Sequence, residues 1–143
     1  MTSTLTFGAV PAPAVDLVWG LVEPMLAPAI ATADGKTDVH HVKRQLDSGE
    51  LLLWVVADGL VPVAALTTRI IVYPERRGMA MDWIGGARMR EWLPMAQAML
   101  MRYAADNGCV HLEGYGRKGW DRWLRKFGWR PEYIAYRMDL DHG

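Results

Sequence analysis

The stretch from Met79 to Tyr115 constrains the fold more than any other part of the chain. Residues 79–84 alternate, with Met79, Met81 and Trp83 on one side and Ala80, Asp82 and Ile84 on the other, as in a strand. Gly85-Gly86 interrupts that pattern. A helical stripe of Leu93, Ala96, Leu100, Tyr103 and Ala104 follows, which predicts a helix over 90–106. Pro94 fits only the first turn of such a helix, and Asn107-Gly108 is a stop signal at its far end. Residues 109–115 are strand-like again. Strand, helix and strand in succession predict a right-handed crossover and a locally parallel strand pair.

The flanks complete an α/β domain. Val15, Val18, Trp19, Val22, Met25, Leu26 and Ala29 predict a helix over 13–30, which Pro24 and Pro28 are expected to kink or shorten. A second helix is expected over 38–47, capped by Thr37 and closed by Ser48-Gly49. Apolar runs at 51–57 and 61–72, joined by Asp58-Gly59, predict a hairpin, with Pro62 marking a strand end. Residues 118–127 are amphipathic and predict a helix, with Trp120, Trp123, Leu124 and Phe127 on one face. A last strand is expected over 133–140. The predicted order is α-α-β-β-β-α-β-α-β, a mixed, mostly antiparallel sheet with helices on both faces.

At 143 residues, half of them apolar, the chain suits a single domain spanning residues 1–143. One cysteine, Cys109, excludes an internal disulfide and fits a reducing compartment, where a buried thiol is expected of it. The first residues lack a signal-peptide pattern, and the longest apolar run, 51–57, is far short of the roughly 18 residues of a membrane span. A cytoplasmic protein without a membrane partner is the expectation. Net charge is zero, yet residues 69–137 hold thirteen basic and seven acidic side chains. Their densest run is 116–130.

This order of elements resembles the GNAT superfamily of acyl-CoA N-acyltransferases over nearly the whole chain. The hairpin of 51–65 is similar to the family's first hairpin, and Lys126-Phe-Gly-Trp129 to the Lys-x-Gly-Phe ending of its last helix. More narrowly, Trp54-Val, Tyr73-Pro, Glu91-Trp-Leu, Asn107-Gly-Cys109 and Gly116-Arg-Lys-Gly-Trp120 resemble small GNAT-like proteins of tailed bacteriophages and prophages.

The resemblance implies acetyl-CoA as donor, a glycine-rich turn opening the central helix, and a tyrosine in the last helix to serve the departing thiolate. Residues 85–93 depart from that turn. The glycines precede the first Arg, Trp92 and Leu93 are expected to crowd the phosphate, and Glu91 to repel it, while Arg88 and Arg90 compensate. The tyrosine position falls on Leu124 and a small-residue position on Trp120; Tyr133 or Tyr136 is the candidate to substitute for that tyrosine in space. Asp82, His111 and Glu113 are the candidate bases.

Two functions follow as expectations. The first is a scaffold that has lost acetyl-CoA chemistry and binds a protein partner of virion or host, in the host cytoplasm or the virion. Arg117, Lys118, Trp120, Arg122 and Arg125 form its cationic, aromatic docking surface. The alternative is an N-acyltransferase with an atypical cofactor site. No DNA-binding motif accompanies the cations, so nucleic acid is not expected. His40 and His41 point roughly 100° apart on a helix, and no metal site is expected.

Overall fold

Alternation at the N-terminus, with Leu5 and Phe7 buried between exposed Thr6 and Gly8, makes a first strand, β1 (Leu5–Val10). The structure, a computed structural model, describes residues 4–116 and 118–140. Two helices follow, α1 (Val15–Ala31) and α2 (Val39–Ser48), then β2 (Leu52–Asp58), β3 (Val61–Val72) and β4 (Arg77–Gly86). The crossover helix α3 (Met89–Asp106) leads to β5 (His111–Gly114). The five strands lie in sequence order, antiparallel except for the parallel β4–β5 pair. The expected mixed sheet and its crossover are therefore present, with one added strand at the start.

Helix ends follow local chemistry. Asp38 caps α2 in place of Thr37, because its carboxylate accepts the His41 N–H at 2.8 Å. Gly49 closes the helix in the left-handed conformation, at φ 83. α1 runs through both prolines, each of which removes one backbone donor. With the turn before it, α1 spans Ala12–Ala31 at a mean hydropathy of 1.5, apolar and long enough for a membrane by those measures alone. Its Val15, Val22, Leu26 and Ile30 are buried against the sheet.

The core has two layers. On one face, Phe7 stacks on Trp54 at 5.1 Å, and both pack with Met79 and Met81 beneath Trp92, Ala96 and Leu100 of α3. Trp54 donates its Nε1–H to Thr68 at 2.9 Å, so the buried indole is satisfied. On the other face, α1 and α2 cover Leu53 and Ala65.

Two expected elements differ. The helix over 118–127 is broken into a 3-10 turn at Lys118–Trp120, a single α turn, α4 (Asp121–Leu124), and a second 3-10 turn at Arg125–Phe127. So short a segment bears the cost of helix nucleation with little propagation to offset it. The strand over 133–140 is not formed. Tyr133, Ile134, Tyr136, Met138 and Leu140 are at least 64% exposed, so alternation there reflects strand propensity without a sheet to pack on.

Gly85 is where α1 comes down on β4, since a Cβ there would overlap the carbonyl of Met25. Gly85→Ala should lose about 1–3 kcal/mol in urea denaturation through overpacking. Gly8→Ala, at a position open on all sides, should stay within about 0.5 kcal/mol of the parent.

Candidate active site

β4 and β5 pair only from Gly78 opposite His111 to Met81 opposite Gly114. β4 then continues to Gly86, whereas β5 ends at Gly114, so the far half of β4 has no strand on that side and the pair forks there. A bulge accompanies the parting. Leu66 faces Ile84 and Thr68 faces Met81, so Asp82 and Trp83 together oppose Thr67. Beyond the fork, backbone groups of β4 directed toward β5 have no strand partner and are available to an extended ligand.

α3 starts directly after the fork. Arg88 precedes it in the left-handed conformation, φ 62 and ψ 30. The Glu91 and Trp92 N–H groups both bond to the Arg88 carbonyl, which leaves those of Met89 and Arg90 without an intrahelical acceptor. Arg88, Met89, Arg90 and Glu91 form one wall of a cleft of about 630 Å³; Gly119, Trp120 and Trp123 form the other. The structure thus brings Arg88, Arg90 and Trp120 to one place. Trp92 and Leu93 are not in the cleft, contrary to the crowding expected of them. Both are buried beneath α3, where Trp92 Nε1–H donates to the Ala87 carbonyl at 2.9 Å.

The two arginines differ in role. Arg88 bonds Glu91 at 2.7 Å and Asp58 at 2.8 Å, and these hydrogen bonds hold its guanidinium pKa above the ordinary value. Glu91, lowered in turn by Arg88, lines the cleft as a carboxylate whose charge that guanidinium balances. Asp58 is lowered by hydrogen bonds from Thr4 first and Arg88 second. Arg90 is exposed and has no ion-pair partner among the described residues.

The predicted carboxylates lie on the α1 side of the sheet. Asp82 is bound by Arg69 at 2.6 Å, its side chain only 13% exposed. Glu113 accepts from Tyr73 Oη at 2.6 Å and meets His111 Nε2 at 2.9 Å. Burial pushes the Glu113 carboxyl up, but the bonds from Tyr73 and His111 outweigh it and bring it below its ordinary value. The same contact pushes the Tyr73 phenol up to about 12. His111 lies over Gly78, where a Cβ would overlap its ring. Asp82, His111 and Glu113 are thus gathered near the fork, with Arg69 and Tyr73 as partners the sequence did not single out for a site. Strand parity carries the signal for Arg69, which sits two positions beyond Thr67; nothing local marks Tyr73.

The cationic segment is divided. Arg117 lies outside the described residues, and Lys118 belongs to the 3-10 turn. Trp120 is tilted against Trp123, with ring centres 5.7 Å apart, and Trp123 meets Phe127 edge-on at 5.4 Å. Arg122 is exposed, and Arg125 is bound to Asp121 at 3.1 Å. Gln97 clasps this segment to α3, donating to the Phe127 carbonyl and accepting from Trp129 Nε1, each at 2.8 Å. Among the described residues no three His, Cys, Asp or Glu side chains gather as a metal site. Cys109 is buried in the core.

No protein-family model and no curated protein matches the chain by sequence. Solved structures match it over nearly its full length. The aminoglycoside acetyltransferase HMB0005, from an uncultured soil metagenomic sample, is similar at TM-score 0.71 and 15% identity, covering 99% of this chain and 100% of that one. A second from soil, meta-AAC0020 in complex with sisomicin, gives 0.69 at 12% identity, with 96% and 97% covered. A GCN5-related N-acetyltransferase from Ralstonia eutropha JMP134 gives 0.66 at 16%, with 94% and 98% covered. The forked β4–β5 pair and its crossover helix thus belong to a chain with the fold of the GNAT acetyltransferases.

Proposed function

We propose that this protein is an acyl-CoA-dependent N-acyltransferase with an atypical phosphate site. The observation that carries the reading is the end of β4–β5 pairing at Met81 and Gly114, followed along the chain by the start of α3, where the N–H groups of Met89 and Arg90 have no intrahelical acceptor. A scaffold without chemistry was expected from the joint loss of the glycine turn and the leaving-group tyrosine; the crowding expected at that turn does not occur, since Trp92 and Leu93 lie in the core. The reading as a virion or host-binding protein rests on the resemblance to phage proteins, the altered turn and tyrosine position, and the cationic segment.

The residues present fit the donor. The N–H groups of Met89 and Arg90 and the Arg90 guanidinium suit phosphate, at the positive end of a helix. Trp120 and Trp123 offer flat aromatic faces to a purine ring, and the unpaired edge of β4 offers hydrogen bonds to a pantetheine arm. When bound, acyl-CoA supplies the activated thioester.

The opposite face serves the acceptor. Asp82 and Glu113 place two carboxylates there against one guanidinium, Arg69, which favours a cationic amine. Two structural relatives are described as aminoglycoside acetyltransferases; sisomicin and simple polyamines are the first acceptors to try. Asp82, beside the fork, takes the proton that the amine loses. His111 and Tyr73 hold Glu113 ionised as a fixed charge.

Calorimetry should detect acetyl-CoA binding at micromolar concentration, weakened about tenfold by Arg90→Ala, or about 1.4 kcal/mol. No saturable binding would overturn the reading. Asp82→Asn should lower kcat/KM for the amine by about 10²–10⁴ with the chain still folded and acetyl-CoA affinity unchanged; normal turnover would remove Asp82 from the chemistry.

Glu113 has a signature in pH. Its carboxylate is favoured by folding, so its contribution is complete above the ordinary value of 4.5 and is lost as pH falls through the lower folded value. Glu113→Gln should therefore be less stable than the parent at neutral pH. The two denaturation midpoints should converge in acid, as pH falls through the lowered folded value.

A further inference from the structure

Charge is balanced inside the cleft beside α3, and the surplus lies outside it. Arg88 is held by Asp58 and Glu91, which leaves Arg90 and the N–H groups of Met89 and Arg90 to meet an anion. That set suits one phosphate group. Coenzyme A brings a pyrophosphate and a further phosphate on its ribose, and the cleft wall has no more unpaired cations to match them.

The cations stand on the neighbouring segment. From Lys118 to Glu132, five basic side chains meet two acidic ones. Arg125 is held by Asp121 at 3.1 Å. Arg122, Lys126 and Arg130 are exposed and in no ion pair among the described residues. Arg122 falls between Trp120 and Trp123, so the cationic stretch begins at the cleft wall itself. The aromatic side chains beside these cations are turned inward. Trp123, Phe127 and Trp129 pack on the core under α3, and Gln97 fixes the last two positions there. The outer surface thus offers charge without a row of rings on which bases stack, which favours an acidic protein over a single-stranded nucleic acid.

We infer that the outer surface of residues 122–130 docks a small acidic carrier protein that presents the acyl thioester on a phosphopantetheine arm. The inference rests on the acyltransferase reading and names the carrier of its donor. Coenzyme A and such a protein share the arm and its first phosphate; beyond that phosphate lies a nucleotide in one and an acidic surface in the other. The shared phosphate meets the start of α3, and the carrier's carboxylates meet Arg122, Lys126 and Arg130. Bond changes are the same from either source. The amine nitrogen bonds the acyl carbon, and the C–S bond breaks with its electron pair on sulfur. Asp82 takes the amine proton, and the released thiolate takes one from solvent.

The test compares the two sources. A bacterial acyl carrier protein, in holo form with the arm and apo form without it, is titrated by calorimetry beside free CoA and a single-stranded oligonucleotide. The holo-carrier should bind the parent about tenfold tighter than CoA at about 50 mM salt and lose that margin by about 500 mM, because exposed charges are screened. The triple variant Arg122→Glu, Lys126→Glu, Arg130→Glu should weaken the holo-carrier by at least about tenfold and leave CoA within about twofold. Arg90→Ala should weaken both alike. Single substitutions of the same three residues by Gln give the same reading in smaller steps if the triple variant unfolds. Holo-carrier binding no tighter than CoA, equal binding of apo and holo forms, or tighter binding of the oligonucleotide overturns the docking surface while acyl transfer from CoA stands. If neither CoA nor the holo-carrier binds the parent, the acyltransferase reading itself fails.

Discussion

Two residues of β4, Asp82 and Trp83, stand against the single Thr67 of β3, and the candidate site depends on that mismatch. Ordinary pairing would send Asp82 and Trp83 to opposite faces. The bulge instead turns both toward the α1 side, where Asp82 meets Arg69 and Trp83 packs against the second core cluster. It also coincides with the end of β4–β5 pairing, so one local irregularity positions a carboxylate and opens the sheet beside it. Gly85 and Gly86 complete the bend. The first lets α1 rest on the strand; the second, at φ 114, lets the chain turn against Ala64 toward α3.

Electrostatics at the start of α3 assign different tasks to neighbouring arginines. Arg88 bridges Asp58 of the β2–β3 hairpin and Glu91 of the helix, so its charge is balanced and its work is to tie the hairpin to the helix start. Arg90, in the same first turn, lines the cleft without such a balance. Two cations, Arg88 and Arg90, match two acids, Asp58 and Glu91, so what remains for an anionic ligand in the proposed site is the positive end of the helix with its N–H groups and the one guanidinium, Arg90, outside the ion pairs.

Much of this was legible in the residues. Met79–Tyr115 announces strand, helix and strand through its change of period, and the observed β4, α3 and β5 follow it within a few residues. β1 was not legible, because only Leu5 and Phe7 point inward and two residues make a weak period. The strand expected over 133–140 failed for the converse reason: its alternation is strong, but a strand needs a neighbour, and sequence periodicity does not reveal one. In the site, Asp82, His111 and Glu113 were recognisable as acids and a base at strand ends. Their partners were not, since Arg69 comes from a strand antiparallel to β4 and Tyr73 from the turn between. Trp92 was misplaced by reasoning in linear sequence alone; one residue along a helix is about 100°, enough to move an indole from cleft to core.

Residues 131–140 are exposed throughout and touch the rest of the protein at few points, Tyr133 at Tyr115 and Arg137 at Asp34. No buried core side chain comes from this stretch. Its sequence is thus almost uncoupled from the stability of the sheet, whereas the cleft is built from α3 and a segment clasped to it by Gln97. The two sides of the fork carry unequal mutational freedom. Substitutions in residues 131–140 cost the fold little, so the surface beside Tyr115 is free to change while the start of α3 is held by the core.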